Sequence, residues 1–131
     1  MAERNTSFKA GLLVGFLVAA STKIEAGKMV AVNASGYLVE ASDAASIIVV
    51  GIADETQDNS SGANGALTCL VKRGQVFKLK NHTTAVTQAS VGSNVVVADD
   101  ETVTTAAGAT NDIVAGKCLG VETDGVWVEI N

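Results

Sequence analysis

GKMVAVNASGYLVEA, residues 27–41, is an apolar run, a turn on Asn33-Ala34-Ser35-Gly36, and a second apolar run. That is the pattern of a β-hairpin, met over Met29 to Val32 and Tyr37 to Glu40. A related stretch, GSNVVVADDETVTTA, returns at residues 92–106. Its leading glycine, first valines and turn fall in the same order, 65 residues later. A second echo sets Gly120 (in KCLGVE) beside Gly51 (in VVGIA), an offset of 69 that implies four extra residues in the second copy. Two copies imply duplicated strand units in one barrel or sandwich, since a solenoid needs at least about three repeats.

The composition sets the frame around this unit. The chain has 131 residues, natural for one domain. Hydrophobic residues make up 47% but aromatics only 4%, so the core must be built from Val, Ile, Leu and Ala. There are 13 glycines and no proline, which leaves the turns to Gly, Asn, Asp and Ser. A net charge of −5 and a pI of about 4.7 argue against a nucleic-acid binder, which would concentrate basic residues. Cys69 and Cys118 fit no zinc or redox spacing and read as small core residues. His82, the sole histidine, reads as a solvated loop residue.

Outward from the hairpin, residues 10–20 (AGLLVGFLVAA) read as a glycine-punctuated apolar strand or arm. With Arg4 and Lys9 ahead and small residues behind, they also have the outline of a secretory signal, and they are too short to span a membrane as a helix. The expected organisation is an N-terminal arm over 1–21 and a single β domain over 22–131. After the first hairpin, IIVVGI (47–52) reads as a strand buried on both sides. Residues 54–64, DETQDNSSGAN, read as a solvated acidic loop and miss the spacing of a calcium loop. Residues 67–71 and 75–80 read as a second hairpin about Lys72-Arg73-Gly74.

Two surfaces stand out as candidate partner interfaces. Lys72, Arg73, Lys78 and Lys80 form a basic cluster along the expected second hairpin, suited to an acidic partner or to protecting a sheet edge. In the last strand Val126, Val128 and Ile130 share the core face, which turns Trp127 and Glu129 outward; an outward Trp is a candidate anchor, the alternatives being that it plugs a barrel end or lies under the N-terminal arm. Leu12 and Phe16 of the apolar arm complete the set, as residues that could add to a neighbour's sheet. No GxSxG, HExxH, phosphate loop or zinc cluster occurs, and Asp99 and Asp100 sit at a turn tip with nothing to raise a pKa. No catalytic, metal or cofactor residue is therefore assigned, and an enzyme is the least favoured class. Four N-x-[ST] triplets begin at Asn5, Asn33, Asn59 and Asn81 and matter only on a glycosylating route. The fold expected is all-β: a small barrel or sandwich of eight to ten short strands with a pseudo-repeated hairpin.

The order of signals resembles one family. TKIEAG (22–27) leads into VAVN and GYLV; then follow VGIA (50–53), Asp58-Asn59 with Gly62 and Gly65, and RGQVFKL (73–79). Later come VADD with Thr102-Val103, AGK (115–117) and GVWV (125–128). This pattern, over residues 22–131, resembles the capsid cement or head decoration proteins of tailed bacteriophages. The resemblance implies a β-rich virion protein on the outer surface of the head, made in the host cytoplasm. It implies the major capsid protein as partner and a homo-oligomer, dimer or trimer, with no cofactor, nucleic acid or membrane. A phage tail or fibre component and a secreted β-domain binding a surface ligand are the alternative readings.

Overall fold

The computed structural model describes residues 11–131. The polar lead and the start of the expected arm, residues 1–10, lie outside the described residues. Twelve short strands form an all-β fold: β1 (Leu13–Leu17), β2 (Thr22–Ile24), β3 (Met29–Val32), β4 (Leu38–Glu40), β5 (Ile48–Ala53), β6 (Gln57–Asn59), β7 (Thr68–Lys72), β8 (Gln75–Asn81), β9 (Asn94–Asp99), β10 (Thr102–Thr104), β11 (Val114–Glu122) and β12 (Gly125–Ile130). Strands β8 to β12 close into a barrel in the order β10-β8-β12-β11-β9. The earlier strands form a sheet in the order β1-β7-β5-β3-β4, and β2 pairs with β6 as a small ribbon beside it.

The two five-stranded units are copies of one plan. Substituting β8 for β1, β9 for β3, β10 for β4, β11 for β5 and β12 for β7 turns one strand order into the other. The register is kept residue by residue. Val30 pairs with Gly51 and Ala31 with Val49; 65 residues on, Val95 pairs with Gly116 and Val96 with Val114, across the same irregularity. Ala31–Val39 and Val96–Thr104 correspond likewise. The second barrel closes through the parallel pairing of Lys80 and Asn81 with Thr102 and Val103. The first unit has the matching parallel bridge between Val18 and Leu38, so it too closes, by one bridge. Each unit is therefore a small barrel with its own first and last strands as neighbours.

The glycine equivalence expected at Gly120 is corrected by this register. Gly51 corresponds to Gly116, and the offset stays at 65 with no insertion before that point. The physical reason is a close approach of backbone. A Cβ on Gly51 would collide with the Lys72 carbonyl oxygen, and one on Gly116 with the Glu129 carbonyl oxygen. Both carbonyls belong to the strand that pairs next to the glycine's own.

Four further expectations change. The second hairpin does not exist: β7 pairs with β1 and β5, whereas β8 pairs with β12 and β10. Lys72-Arg73-Gly74 is instead the crossing between barrels, with Gly74 at a φ of +70° and its N–H donating to the Ile130 carbonyl at 2.7 Å. The apolar arm is not an appendage over its described part, because β1 is paired with β7 along its whole length and Val18 is buried. Part of the expected loop at 54–64 is strand β6, and Asn59 within it is buried. Finally, β5 is not covered throughout, since Ile48 at its start is 70% exposed.

Two apolar cores follow from the plan. Val18, Ile24, Val30, Leu38, Ala53, Cys69 and Val71 fill the first barrel. Their counterparts Val95, Val103, Cys118, Val126 and Val128 belong to the second. Each such aliphatic side chain contributes about 1.5–3 kcal/mol on burial. Both cysteines are free and buried, one in each barrel. Met29, Ala31, Val49 and Ile52 point out of the first barrel and join the second core, which welds the barrels into one body. Polar ties reinforce the seam. The Met29 N–H donates to the Asp100 carbonyl at 2.7 Å, and Lys28 pairs with Asp100 and Glu101 at 3.3 and 3.1 Å. The Asp43 carboxylate accepts the N–H groups of Thr110 and Asn111, each at 2.8 Å.

Candidate interaction surface

The outer faces of β1–β7 and β8–β12 occupy equivalent positions, and most of the residues singled out above lie on or beside them, Phe16 and Arg73 excepted. Leu13 faces Lys72, Gly15 faces Leu70 and Leu17 faces Thr68; in the second barrel Val76 faces Glu129 and Lys78 faces Trp127. Alternation along the strands puts these residues outside and Val14, Phe16, Phe77 and Leu79 inside.

On the first barrel this face is nearly uncharged. Leu12, Leu13, Leu17 and Leu70 are exposed by 54%, 47%, 49% and 37%. Leu12 stands as expected, outside, with its carbonyl accepting the Arg73 N–H at 2.9 Å. Phe16 does not: it turns inward and packs on the first core. The run Leu12-Leu13-Val14-Gly15-Phe16-Leu17 is apolar at every position, so only the pairing with β7 decides which residues face out. Leu13, Leu17 and Leu70 are the surface residues that the sequence did not single out.

On the second barrel the same face is ionic. Trp127 is outward, as its alternation predicts, and 38% exposed. The Lys78 ammonium lies 5.6 Å from its ring centroid, a cation–π contact. Lys78 also pairs with Asp124 at 2.7 Å and Glu122 at 3.0 Å. These partners raise the Lys78 pKa, and Lys78 in turn lowers that of Asp124. Lys80 pairs with Glu101 at 2.7 Å, and with Lys28 it holds the Glu101 carboxyl below its usual range. Glu129 is half-buried opposite Lys117.

The basic cluster is therefore not one surface. Lys72 sits on the first barrel, paired with Asp54 at 3.5 Å, while Lys78 and Lys80 sit on the second. Arg73 is half-buried in the crossing between them. Each of the three lysines is engaged by carboxylates of its own chain, so the cluster offers little free positive charge.

Chemistry on this surface is sparse. Among the described residues no group of three or more His, Cys, Asp or Glu side chains could hold a metal ion, and no helix is long and apolar enough to cross a membrane. Burial pushes the Cys69 thiol up to about 11, which removes it as a nucleophile at neutral pH. Glu40, whose pKa is raised by burial, accepts the Glu25 N–H at 3.3 Å, beside the charges of Asp100, Glu25 and Lys28. No protein-family model, curated protein or solved structure matches the chain.

Proposed function

We propose that this chain is a structural protein of a tailed-bacteriophage head, bound to the outer surface and bridging neighbouring major capsid subunits. The observation that carries the reading is the largely apolar outer face of β1–β7, with Leu12, Leu13, Leu17 and Leu70 exposed and Lys72 its one charged residue, on a protein of net negative charge. Contiguous exposed leucines of this kind mark a protein-binding surface. Two welded barrels give one chain two separated surfaces, which suits bridging, and many copies on a shell multiply weak contacts into a firm hold. A dimeric or trimeric assembly and a place on the virion surface belong to the same proposal. The reading takes its partner from the family pattern over residues 22–131, and assigns no catalytic residue and no cofactor.

The test is co-sedimentation of the purified protein with heads of the encoding phage, before and after expansion. Saturable binding in a fixed ratio to the major capsid protein is the expected result. The double variant Leu13→Asp, Leu17→Asp should lose binding by about tenfold or more while keeping its fold, since both side chains point to solvent. Trp127→Ala should weaken binding less, because Lys78 already covers the ring. Absence of binding to either head form would overturn the reading in favour of a tail component or a secreted ligand-binding domain.

A further inference from the structure

One dipeptide of the first barrel is chemically reactive on its own. Asn64-Gly65 is the sole Asn-Gly in the chain. It lies in the turn Ala63 to Ala66, where the Ala66 N–H donates to the Ala63 carbonyl at 3.1 Å. Asn64 is exposed and Gly65 half-buried, so water and hydroxide reach the pair. In such a pair the glycine nitrogen can attack the side-chain carbonyl carbon of the asparagine, because no Cβ on the glycine stands in the way.

The fold calls for both residues. Gly65 has a φ of +78°, in the left-handed region that suits glycine. A Cβ there would make only ordinary contacts with Leu17 and Tyr37, at 3.6 Å, so backbone conformation and not space keeps the glycine. Asn64 Oδ1 accepts the Ala20 N–H at 2.7 Å, which ties the turn to the chain leaving β1. The Gly65 N–H donates to the Val18 carbonyl at 2.8 Å. Asn59 Nδ2 braces the same strip through the carbonyls of Ala19 and Ala63, both at 2.9 Å. Both reacting groups are therefore held. The nucleophilic nitrogen keeps its proton in a hydrogen bond, and the carboxamide is pinned to residue 20 and cannot swing over that nitrogen. Hydrogen bonds, not burial, protect the pair.

We propose that Asn64 is a self-modification site gated by opening of this turn. Once the turn opens, the Gly65 nitrogen gives its proton to hydroxide and attacks Asn64 Cγ. The N–Cγ bond forms, the Cγ–Nδ2 bond breaks, and the side-chain nitrogen takes a proton from water and leaves as ammonia. Water then opens the cyclic imide at either carbonyl. One product is an aspartate, the other an isoaspartate whose main chain runs through the former side chain. No group is oxidised or reduced, and water is the only co-reactant. The isoaspartate lengthens the main chain by a methylene, so the bonds to Val18 and Ala20 cannot both be remade and the opening becomes one-way. The inference stands apart from the phage reading, because it needs no partner.

The full chain is incubated in warm, mildly alkaline buffer beside a synthetic peptide of residues 57–68, QDNSSGANGALT. Digestion, chromatography and mass spectrometry follow the two acid products at Asn64. Conversion in the folded chain should be slower than in the peptide by about tenfold or more, because the turn must open first. Asn64 should still convert ahead of Asn33, Asn81, Asn94 and Asn111. Asn59→Ala should speed conversion by about tenfold, towards the rate of the peptide. Should that variant not fold, wild-type chain in sub-denaturing urea takes its place. There the rate, relative to the peptide in the same urea, should rise in step with hydrogen exchange at the Gly65 amide. Conversion of the folded chain at the rate of the peptide would overturn the gate. A rate unmoved by Asn59→Ala, or by urea while Gly65 exchange quickens, would do the same. Earlier conversion of another asparagine would overturn the choice of site.

Discussion

The first barrel carries a small turn, residues 58–65, folded back over the chain that leaves β1, with Asn59 Nδ2 donating to the Ala19 and Ala63 carbonyls, and it is largely apolar on its outer face; the second has Val86 buried beyond β8 instead and is ionic on its outer face. Strand order, register and the glycine pressed against a neighbouring carbonyl are common to both. What differs is confined to positions that the closure of a barrel leaves free. The outward residues Leu13, Gly15 and Leu17 stand where Val76, Lys78 and Lys80 stand in the other copy. The inward residues Val14 and Phe16 stand where Phe77 and Leu79 do, apolar in both. Packing holds the interior of the plan constant, and the outside is free to become two different surfaces.

The equivalence is open to direct attack. Its largest expected effect is at the glycines. Gly51→Ala and Gly116→Ala each force a methyl onto a neighbouring carbonyl oxygen, and each should cost about 3 kcal/mol in urea unfolding. A variant that unfolds like the wild type at one site and not at the other would break the correspondence of the two registers.

Next in size is the turn at 58–65. Asn59→Ala leaves the carbonyls of Ala19 and Ala63 without this donor in a buried place, and should cost about 2 kcal/mol. Hydrogen exchange should quicken at residues 18–21 and 62–67 and stay unchanged in the second barrel. Equal loosening of both barrels would show that this turn serves the whole body, not its own end.

The smallest effect concerns the seam and acid. The N–H groups of Thr110 and Asn111 hold the Asp43 carboxyl below its usual range. A carboxyl lowered by folding contributes stability at pH values above its unfolded pKa of about 3.9, and that contribution is lost as pH falls through the folded value. The melting temperature should therefore fall with acid below about pH 5, and Asp43→Asn should flatten this dependence slightly. Identical acid limbs in the two proteins would remove Asp43 from the account of the seam.

Much of this plan was legible in the sequence, and the failures have a common physical cause. The hairpins at 29–40 and 94–104 announce themselves through local turn chemistry: Asn33 Oδ1 accepts the Ser35 and Tyr37 N–H groups, and Asp99 Oδ1 that of Glu101. Trp127 was placed outside by simple alternation. Lys72-Arg73-Gly74 failed because a glycine between two alternating strands is also what a hairpin looks like. Its role as a crossing is set by β1 and β12, far away in the chain. Phe16 failed because an all-apolar strand has no period to read. Gly120 in KCLGVE resembles Gly51 in VVGIA locally, but the carbonyl that passes beneath the Cα makes Gly116 the true counterpart. The unequal connections between β5 and β7 and between β11 and β12 could not be read at all, since only the pairing reveals that they are equivalent.

In each barrel the first strand closes against the last, and this fixes an order of events during synthesis. The first barrel can be completed once Lys72 has emerged, while the second is still being made. Until then Met29, Ala31, Val49 and Ile52 have no second core to enter. A growing chain therefore carries, for the time taken to add the remaining residues, a finished barrel with one sticky side. At a rate of about 5–20 residues per second that interval is several seconds. Its natural hazard is pairing with the same half of another nascent chain, and the crossing at Lys72–Gly74, by keeping the second half close at hand, is what makes the correct partner the nearest one.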